Sequence, residues 1–381
     1  MTLFWYGVVP VLGAFYIRHS WRAFRGRFDN LRLSPLLDYA VYRALDHQGG
    51  SYRFLGGAES IPDGRTLWVR SSSLTIPVFL EGAYTYVLPM TEYKNPLDPF
   101  DPGREAPERI RWDRLSTLTE GAKVYVGGKL SQVEGRWTFV STKADPLLVI
   151  FYDGPDRSLT ARTIRAGRDR NEYWNPVTPY SLILGTFSLI IFALSFVSRP
   201  AFRPAVITAL LFMFTPLLGY LPPGMLLVSL YRRFWWRARV FRAYRDMVRL
   251  PSKYLPPGEN EVRLPDGERY GWVYYKELPS GIREARIPIM PPEGRPEKGS
   301  GWFFFGILPE GEEWREQENP PWPAEPKDPL ASYGLVPGRP EHTARLYALK
   351  AHALELFSCL LFLAGISVNY LFIMMIIYLL S

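Results

Sequence analysis

The chain has 381 residues, and its 45 Lys and Arg against 37 Asp and Glu leave a net charge of +8. This length accommodates two modest domains together with membrane spans. Its single cysteine, Cys359, excludes an intrachain disulfide framework, a zinc site built from cysteines and a cysteine-rich RING.

The first apolar segment, Leu3–Ile17, has no basic stretch before it and no small-residue cleavage site after it. We interpret it as a retained transmembrane helix 1, over 1–17, rather than as a signal peptide. It reaches membrane length by continuing through Trp21 and Phe24, with the neighbouring arginines extending to the headgroups.

The next segment, 18–33, has the pattern of a basic amphipathic helix. Trp21, Phe24, Phe28 and Leu31 recur at helical spacing, with arginines between them. An ordinary helix that packs this stripe on its own domain would show the same pattern. Because the segment starts at a membrane face, we favour a helix on the membrane surface.

The segment 34–178 predicts a first β-rich domain, either a small OB-like barrel or a sandwich. Its strands are indicated at 67–70, 76–80, 84–88, 123–130, 137–140 and 147–152. Between the third and fourth of them lies a long loop rich in proline and aspartate, 92–108. A basic stretch, Ser158–Asn175, is expected to form a helix that leads into the next span.

Two apolar runs follow. The first is free of charge, and we assign transmembrane helix 2 to 179–198. The run 205–231 returns as transmembrane helix 3, with a kink or break expected at Pro216–Pro223. It continues directly into a second basic amphipathic helix at 232–249.

A second β-rich domain, richer in proline, is predicted over 250–350. Its strands are indicated at 270–275, 286–290 and 301–308. The stretch 310–339 has the composition of a long irregular arm. Transmembrane helix 4, over 354–380, is uncharged apart from Glu355. Because Glu355 lies at the end of this span, we interpret it as an interfacial residue, and Asn369 in mid-span as a packing contact with a neighbouring helix.

The two halves repeat one order: apolar segment, basic aromatic helix, β domain, apolar segment. Tyr16–Arg22 aligns with Tyr231–Arg237, and Pro62–Gly64 with Pro265–Gly267. Two unrelated insertions between membrane segments are the alternative, but the shared order favours an internal duplication. The predicted fold class is therefore an α+β membrane protein with about four transmembrane helices and two β-rich domains.

Five arginines lie in 18–32 and seven in 232–249. By the positive-inside rule both clusters, and with them both β domains, should be cytoplasmic, with both termini on the opposite side of a bacterial-type inner membrane. Since the arginines adjoin apolar spans, we expect them to contact anionic lipid headgroups and not nucleic acid. The predicted residues at this lipid interface are Trp21, Arg22, Arg25, Arg232, Arg233, Trp235, Trp236, Arg237, Phe241 and Arg242.

A glycine-rich strand pair, Glu120–Leu130, and the apolar strand in Asp145–Tyr152 precede a basic helix that enters the second span. In this arrangement the first half, at most residues 1–198, resembles the membrane-flanked domain of the GIDE (MULAN-type) family. The resemblance implies a β domain that binds substrates or partners. The ubiquitin-ligase activity of the family's animal members requires a C-terminal RING, which cannot be built from the single cysteine of this chain.

The sequence shows no motif for catalysis or for a cofactor. Gly49-Gly50 and Gly127-Gly128 lack the lysine and spacing of a phosphate-binding loop, and neither Gly-x-Ser-x-Gly nor His-Glu-x-x-His occurs. The acids of the 92–108 loop match no ion-binding pattern. We therefore predict a protein without enzymatic activity, cofactor or metal.

The predicted function is that of a scaffold that binds an unidentified protein partner through its two β domains, and a homo-oligomer is left open. A transporter or transporter subunit that uses the broken third span is the alternative. Because the first three spans contain no ionisable residue, we favour the scaffold. Proline stiffening of the 92–108 loop suits a contact surface. The candidate contact residues are Asn95, Asp98, Phe100, Asp101 and Arg104.

Overall fold

The computed structural model describes residues 3–45, 49–61, 64–88, 108–110, 121–166, 168, 173–219, 221–256, 258–264, 267–282, 284–285, 287–292, 294–297, 299–311, 314 and 320–380. The chain is α+β and forms two compact units. The helical unit comprises Met1–Ala23, Arg168–Arg242 and Tyr347–Ser381. The β unit comprises Phe24–Gly167 and Ala243–Leu346, so that both β-rich segments belong to the same unit.

The first β-rich segment contains a closed five-stranded barrel. The strands of this segment are β1 (Gly50–Ser60), β2 (Thr66–Arg70), β3 (Thr75–Phe79), β4 (Tyr84–Val87), β5 (Glu108–Ile110), β6 (Lys123–Val133), β7 (Arg136–Phe139) and β8 (Leu148–Tyr152). β1 pairs with β2, β2 with β3, β3 with β7 and β7 with β6, and β6 returns to β1. Only β3 and β7 run parallel among these five. Of the two predicted alternatives the structure therefore has the small barrel, and β8, β4 and β5 extend its sheet from β6.

The barrel core is aliphatic and aromatic, as the β-branched composition of the strands predicts. Leu67, Val69, Ile76 and Val126 are wholly buried in it. Gly128 on β6 has φ +149°, and a Cβ there would lie 2.8 Å from Cδ1 of Leu147. The second glycine of the Gly-Gly pair thus permits a close approach inside the barrel, which explains why this position lacks a side chain.

One continuous helix, α1 (Val9–Leu31), follows a π-helical turn at Phe4–Val8. The sequence predicted a span and then a separate surface helix. Within the β unit, the ring of Phe24 lies 4.2 Å from that of Tyr86, and Phe28 lies 5.3 Å from Tyr125. Phe24 and Phe28 are buried against the sheet of the first β-rich segment, so for these residues the membrane-surface interpretation is wrong. Tyr86 on β4 and Tyr125 on β6 provide the apolar surface that the helix covers.

The second β-rich segment forms a four-stranded antiparallel sheet in the order β12-β11-β10-β9. Its strands are β9 (Glu261–Arg263), β10 (Arg269–Tyr275), β11 (Trp302–Ile307) and β12 (Gly334–Pro337). The predicted strand at 286–290 is reduced to a single bridge between Ile289 and Leu335, because the proline at position 288 cannot donate to a ladder. The predicted irregular arm 310–339 contains β12, a buried strand that is too short to stand out in the sequence.

A short helix, α2 (Tyr39–Arg43), follows α1, and another short helix, α3 (Ser158–Arg165), packs on this second sheet. Ala161 and Ile164 join a core cluster with the helical residue Met247 and with Tyr270 of β10. The helix ends at Arg165 and does not extend to position 175 as the sequence predicted.

The helical unit draws on five further helices, namely α4 (Thr178–Phe196), α5 (Arg203–Met213), α6 (Thr215–Leu218), α7 (Gly224–Arg249) and α8 (Pro340–Leu380). Among the described residues, two helices are long and apolar enough to cross a membrane, Thr178–Phe196 and Pro340–Ile376. The first coincides with predicted span 2. The second contains most of predicted span 4 but begins well before position 354.

The predicted third span, 205–231, is not a single helix. It is interrupted after Met213 and again between Leu218 and Gly224, which confirms the expected break. The basic segment 232–249 continues α7 without a boundary, because no proline or glycine follows Gly224 in that helix.

Candidate ligand site

A cavity of about 580 Å³ lies in the β unit, and we call it the α3 cavity. Its walls come from α3, from residues 285, 287, 288 and 290, and from the segment 322–333. The helix is held in place from outside the cavity, since Arg162 donates hydrogen bonds to the backbone oxygen of Asp153 at 2.6 Å and to its carboxylate at 2.7 Å. A cavity of this volume is in the usual range for a small-molecule or peptide site.

Two buried hydroxyl groups line the α3 cavity without a hydrogen-bond partner among the described residues. Thr160 is 8% exposed and Ser332 is 7% exposed, and neither side-chain oxygen is bonded. Leaving such a group unpaired costs about 1–3 kcal/mol, so native proteins retain few of them. Hydroxyl groups both donate and accept, and these two could therefore bond a ligand that offers either function.

The charged groups of the α3 cavity are already paired. Asp328 receives two hydrogen bonds from the Arg53 guanidinium, one of them at 2.8 Å. Burial by itself would lower the pKa of Arg53, but the carboxylate outweighs burial and the pKa is raised. Glu325 forms an ion pair with Arg157. The cavity therefore presents little uncompensated charge to a ligand.

Aromatic rings complete the wall. Trp322 is 37% exposed and lines the cavity, as does Tyr333, whose ring packs 5.4 Å from that of Phe304. Burial raises the pKa of Tyr333, so its phenol is uncharged at neutral pH. Together with the two free hydroxyls, these rings suit a neutral ligand that combines hydrogen-bonding groups with apolar surface.

The Arg53–Asp328 pair also joins the two β-rich segments, since one residue is on β1 and the other lies beyond β11. Arg32, which is fully buried, makes a parallel connection by donating to the hydroxyl of Tyr254 at 2.8 Å. A buried ion pair such as Arg53–Asp328 holds two segments in one geometry more than it adds stability. The α3 cavity consequently sits in a unit that the two β-rich segments build together.

The predicted lipid-interface residues fall into three groups. Exposed side chains belong to Arg22, Arg232, Arg233, Trp236 and Arg237. Trp21 and Trp235 are half-buried. The remaining residues make contacts within the protein that the sequence did not indicate.

Three members of the predicted lipid set have such contacts. Arg25 donates to the backbone oxygen of Ala166 at 2.6 Å. Arg242 binds both carboxylate oxygens of Glu355, at 2.8 and 2.6 Å. Phe241 packs 5.7 Å from the ring of Tyr347. The arginine pattern locates a basic surface but does not separate its exposed members from those paired inside the protein.

The predicted partner-binding residues Asn95, Asp98, Phe100, Asp101 and Arg104 lie outside the described residues. The α3 cavity was not identified from the sequence, because Thr160 and Ser332 belong to no motif and their burial depends on the fold. Among the described residues, no group of three or more His, Cys, Asp or Glu side chains could hold a metal ion.

The chain was compared with family models, curated proteins and solved structures. No family model matches it, and neither a curated protein nor a solved structure gives a significant match. The resemblance of the first half to the GIDE family therefore remains a prediction.

Proposed function

We propose that this chain is a multipass membrane protein without enzymatic activity, which serves as a scaffold by binding a protein partner through its β unit. In this proposal the α3 cavity receives an extended segment of the partner. The observation that carries it is the pair of buried, unbonded hydroxyls of Thr160 and Ser332. The transporter alternative has no comparable observation in its favour.

A peptide fits the chemistry of the α3 cavity. Peptide backbones offer alternating N–H and C=O groups. Each of the two hydroxyls can accept a hydrogen bond from an N–H group or donate one to a C=O group. The wall residues Trp322 and Tyr333 offer apolar faces to the side chains of such a segment. The GIDE resemblance points in the same direction, because it too implies a β domain that binds partners.

The proposed membrane topology has four spans, with both β-rich segments on the cytoplasmic side of a bacterial-type inner membrane. Large apolar side chains are exposed along α4, where Ile183 is 65% and Leu194 is 71% exposed. Leu12 on α1 is 61% exposed, and Ile207 on α5 is 55% exposed. Exposed apolar surface of this extent suits lipid rather than water. These faces support spans in the first and third segments as well as in the two helices that meet the length criterion.

The exposed arginines of α7 are proposed to contact anionic headgroups at the cytoplasmic face. A homo-oligomer is compatible with this arrangement.

The binding proposal is tested with variants that remove buried hydroxyl groups. Thr160→Val with Ser332→Ala removes the two hydroxyls that line the cavity, whereas Thr163→Val removes a buried, unbonded hydroxyl of the same helix that does not line it. Full-length protein is captured from cells in mild detergent, and the co-purifying proteins are quantified. A partner retained by wild type and Thr163→Val but lost from the double variant supports the proposal. Equal recovery from all three proteins contradicts it.

A further inference from the structure

The helical unit contains a second cavity, of about 530 Å³, which we call the helical cavity. Its walls come from α1, α4, α6, α7 and α8 and from the segment before α4. Small residues at three lining positions, Gly7, Ala14 and Gly219, leave space between the packed helices. A cavity of this size could admit a ligand of considerable length.

An aromatic wall runs along the helical cavity. The ring of Phe362 lies 5.1 Å from that of Tyr231 and 5.9 Å from that of Tyr173, and Trp235 lies 6.0 Å from Tyr231. Protein interiors pack as densely as organic crystals, so neighbouring helices leave few voids of this size. An apolar void also holds water poorly. These walls therefore suit an apolar chain.

The charge of the helical cavity is confined to two arginines. Of the described residues that line it, Arg18 and Arg232 carry the only charges, and both are basic. Arg18 lies twelve positions after Tyr6, about 18 Å along the helix, and it is the last lining residue of α1. On α7, Arg232 follows the apolar positions Val228 and Tyr231. Trp235 lines the cavity about one turn beyond Arg232 on α7. A mainly apolar cavity that carries two basic residues matches a ligand with an apolar chain and an anionic head.

We propose that the helical cavity binds one anionic phospholipid of the surrounding bilayer. An acyl chain lies along the aromatic wall, and the phosphate-bearing headgroup is held by Arg18 and Arg232. This goes beyond the proposed function, since it assigns a lipid to a defined site and not only to the general surface of exposed arginines. A phosphate headgroup is the anion that arginine pairs with in two-point geometry.

The test is native mass spectrometry of the full chain in detergent, titrated with phosphatidylglycerol or with phosphatidylcholine of the same acyl chains. Each arginine near an anionic headgroup raises the binding affinity about fivefold. Two arginines therefore predict roughly a 30-fold preference for phosphatidylglycerol over phosphatidylcholine. Arg18→Gln with Arg232→Gln should bring the two lipids to equal binding. Arg233→Gln is the matched control, because Arg233 is the exposed neighbour of Arg232 and does not line the cavity.

Ala14→Phe fills the space and should abolish the adduct with either lipid. If this variant fails to fold, the arginine variants decide the question, since they leave the apolar walls unchanged. Equal binding of the two lipids by wild type, or an equal loss in Arg233→Gln and in the double variant, overturns the proposal. Binding of palmitate in place of phosphatidylglycerol also overturns it, because the site would then take a free fatty acid.

Discussion

The side chain of Asn369 closes the helix break before α7, where its Oδ1 accepts a hydrogen bond from the backbone N–H of Gly224 at 3.0 Å. Its Nδ2 donates to the backbone oxygens of Leu218 and Leu221, the latter at 2.9 Å. A Cβ at position 224 would lie 2.3 Å from this amide nitrogen and from the backbone oxygen of Gly365. The interpretation of Asn369 as a packing contact is confirmed. The amide satisfies helix-end groups that lipid could not.

Asn369→Leu should destabilise the helical unit. Side-chain hydrogen bonds in membrane proteins contribute about 0.6 kcal/mol on average, so losing three lowers the free energy of unfolding by about 2 kcal/mol. Thermal unfolding of the purified full chain in detergent measures the effect. Ser367→Leu makes a similar change at an exposed position of the same helix and should have little effect. Identical melting of the two variants would refute the capping role.

The buried pair that joins the two β-rich segments predicts an asymmetric mutational effect. Arg53→Met leaves the carboxylate of Asp328 buried and unpaired, and should lower the free energy of unfolding by about 3–5 kcal/mol. Adding Asp328→Asn should restore more than half of that loss, because the remaining group is neutral. Arg70→Met is the control, since the Arg70–Glu59 pair is exposed and worth at most about 1 kcal/mol. An Arg53→Met variant as stable as Arg70→Met would show that the pair does not hold the β unit together.

The unbonded hydroxyls of α3 predict substitutions that do not destabilise the free protein. In the purified protein, Thr160→Val and Thr163→Val each remove a buried hydroxyl oxygen that has no hydrogen-bond partner in the described part of the chain. Each should leave the free energy of unfolding unchanged or raise it by about 1 kcal/mol. Thermal melting of the two variants checks this. A marked loss of stability in Thr160→Val would mean that its hydroxyl is bonded within the protein, and the α3 cavity would lose its main support.

The proposed topology predicts which cysteines react in intact cells. In a Cys359→Ala background, cysteines at Ser72 and Ser280, both exposed in the β unit, should react with an impermeant thiol reagent only after permeabilisation. A cysteine at Ser198, exposed after α4, should react without it. Labelling of either β position in intact cells, or protection of position 198, would contradict the four-span arrangement.

Local patterns predicted the local elements of this fold. The strands at 123–130 and 137–140 match β6 and β7 closely, because alternating β-branched and aromatic residues fix them. The sequence did not decide between a barrel and a sandwich, because closing the barrel depends on β1 pairing with a strand about seventy residues away. The union of the β-rich segments was not predicted, because Arg53 and Asp328 are 275 positions apart in the chain.

The helical elements show a related limit. The arginines that follow the apolar run predicted a separate basic helix outside the membrane span. In the structure α7 continues through the basic segment, because helix propensity does not depend on whether the surroundings are apolar or polar. The break near Gly224 was predicted from its prolines, whereas the role of Asn369 in closing it depends on a distant helix.

Crosslinking from the wall of the α3 cavity tests the central claim most directly. A photo-reactive phenylalanine analogue replaces Trp322, 37% exposed and lining the cavity, or Tyr274, 43% exposed and away from it. After irradiation in cells, position 322 should yield one main adduct with another polypeptide, and Thr160→Val with Ser332→Ala should abolish it. Absence of a protein adduct at position 322, or equal adducts from positions 322 and 274, would contradict the claim that this cavity binds a protein partner.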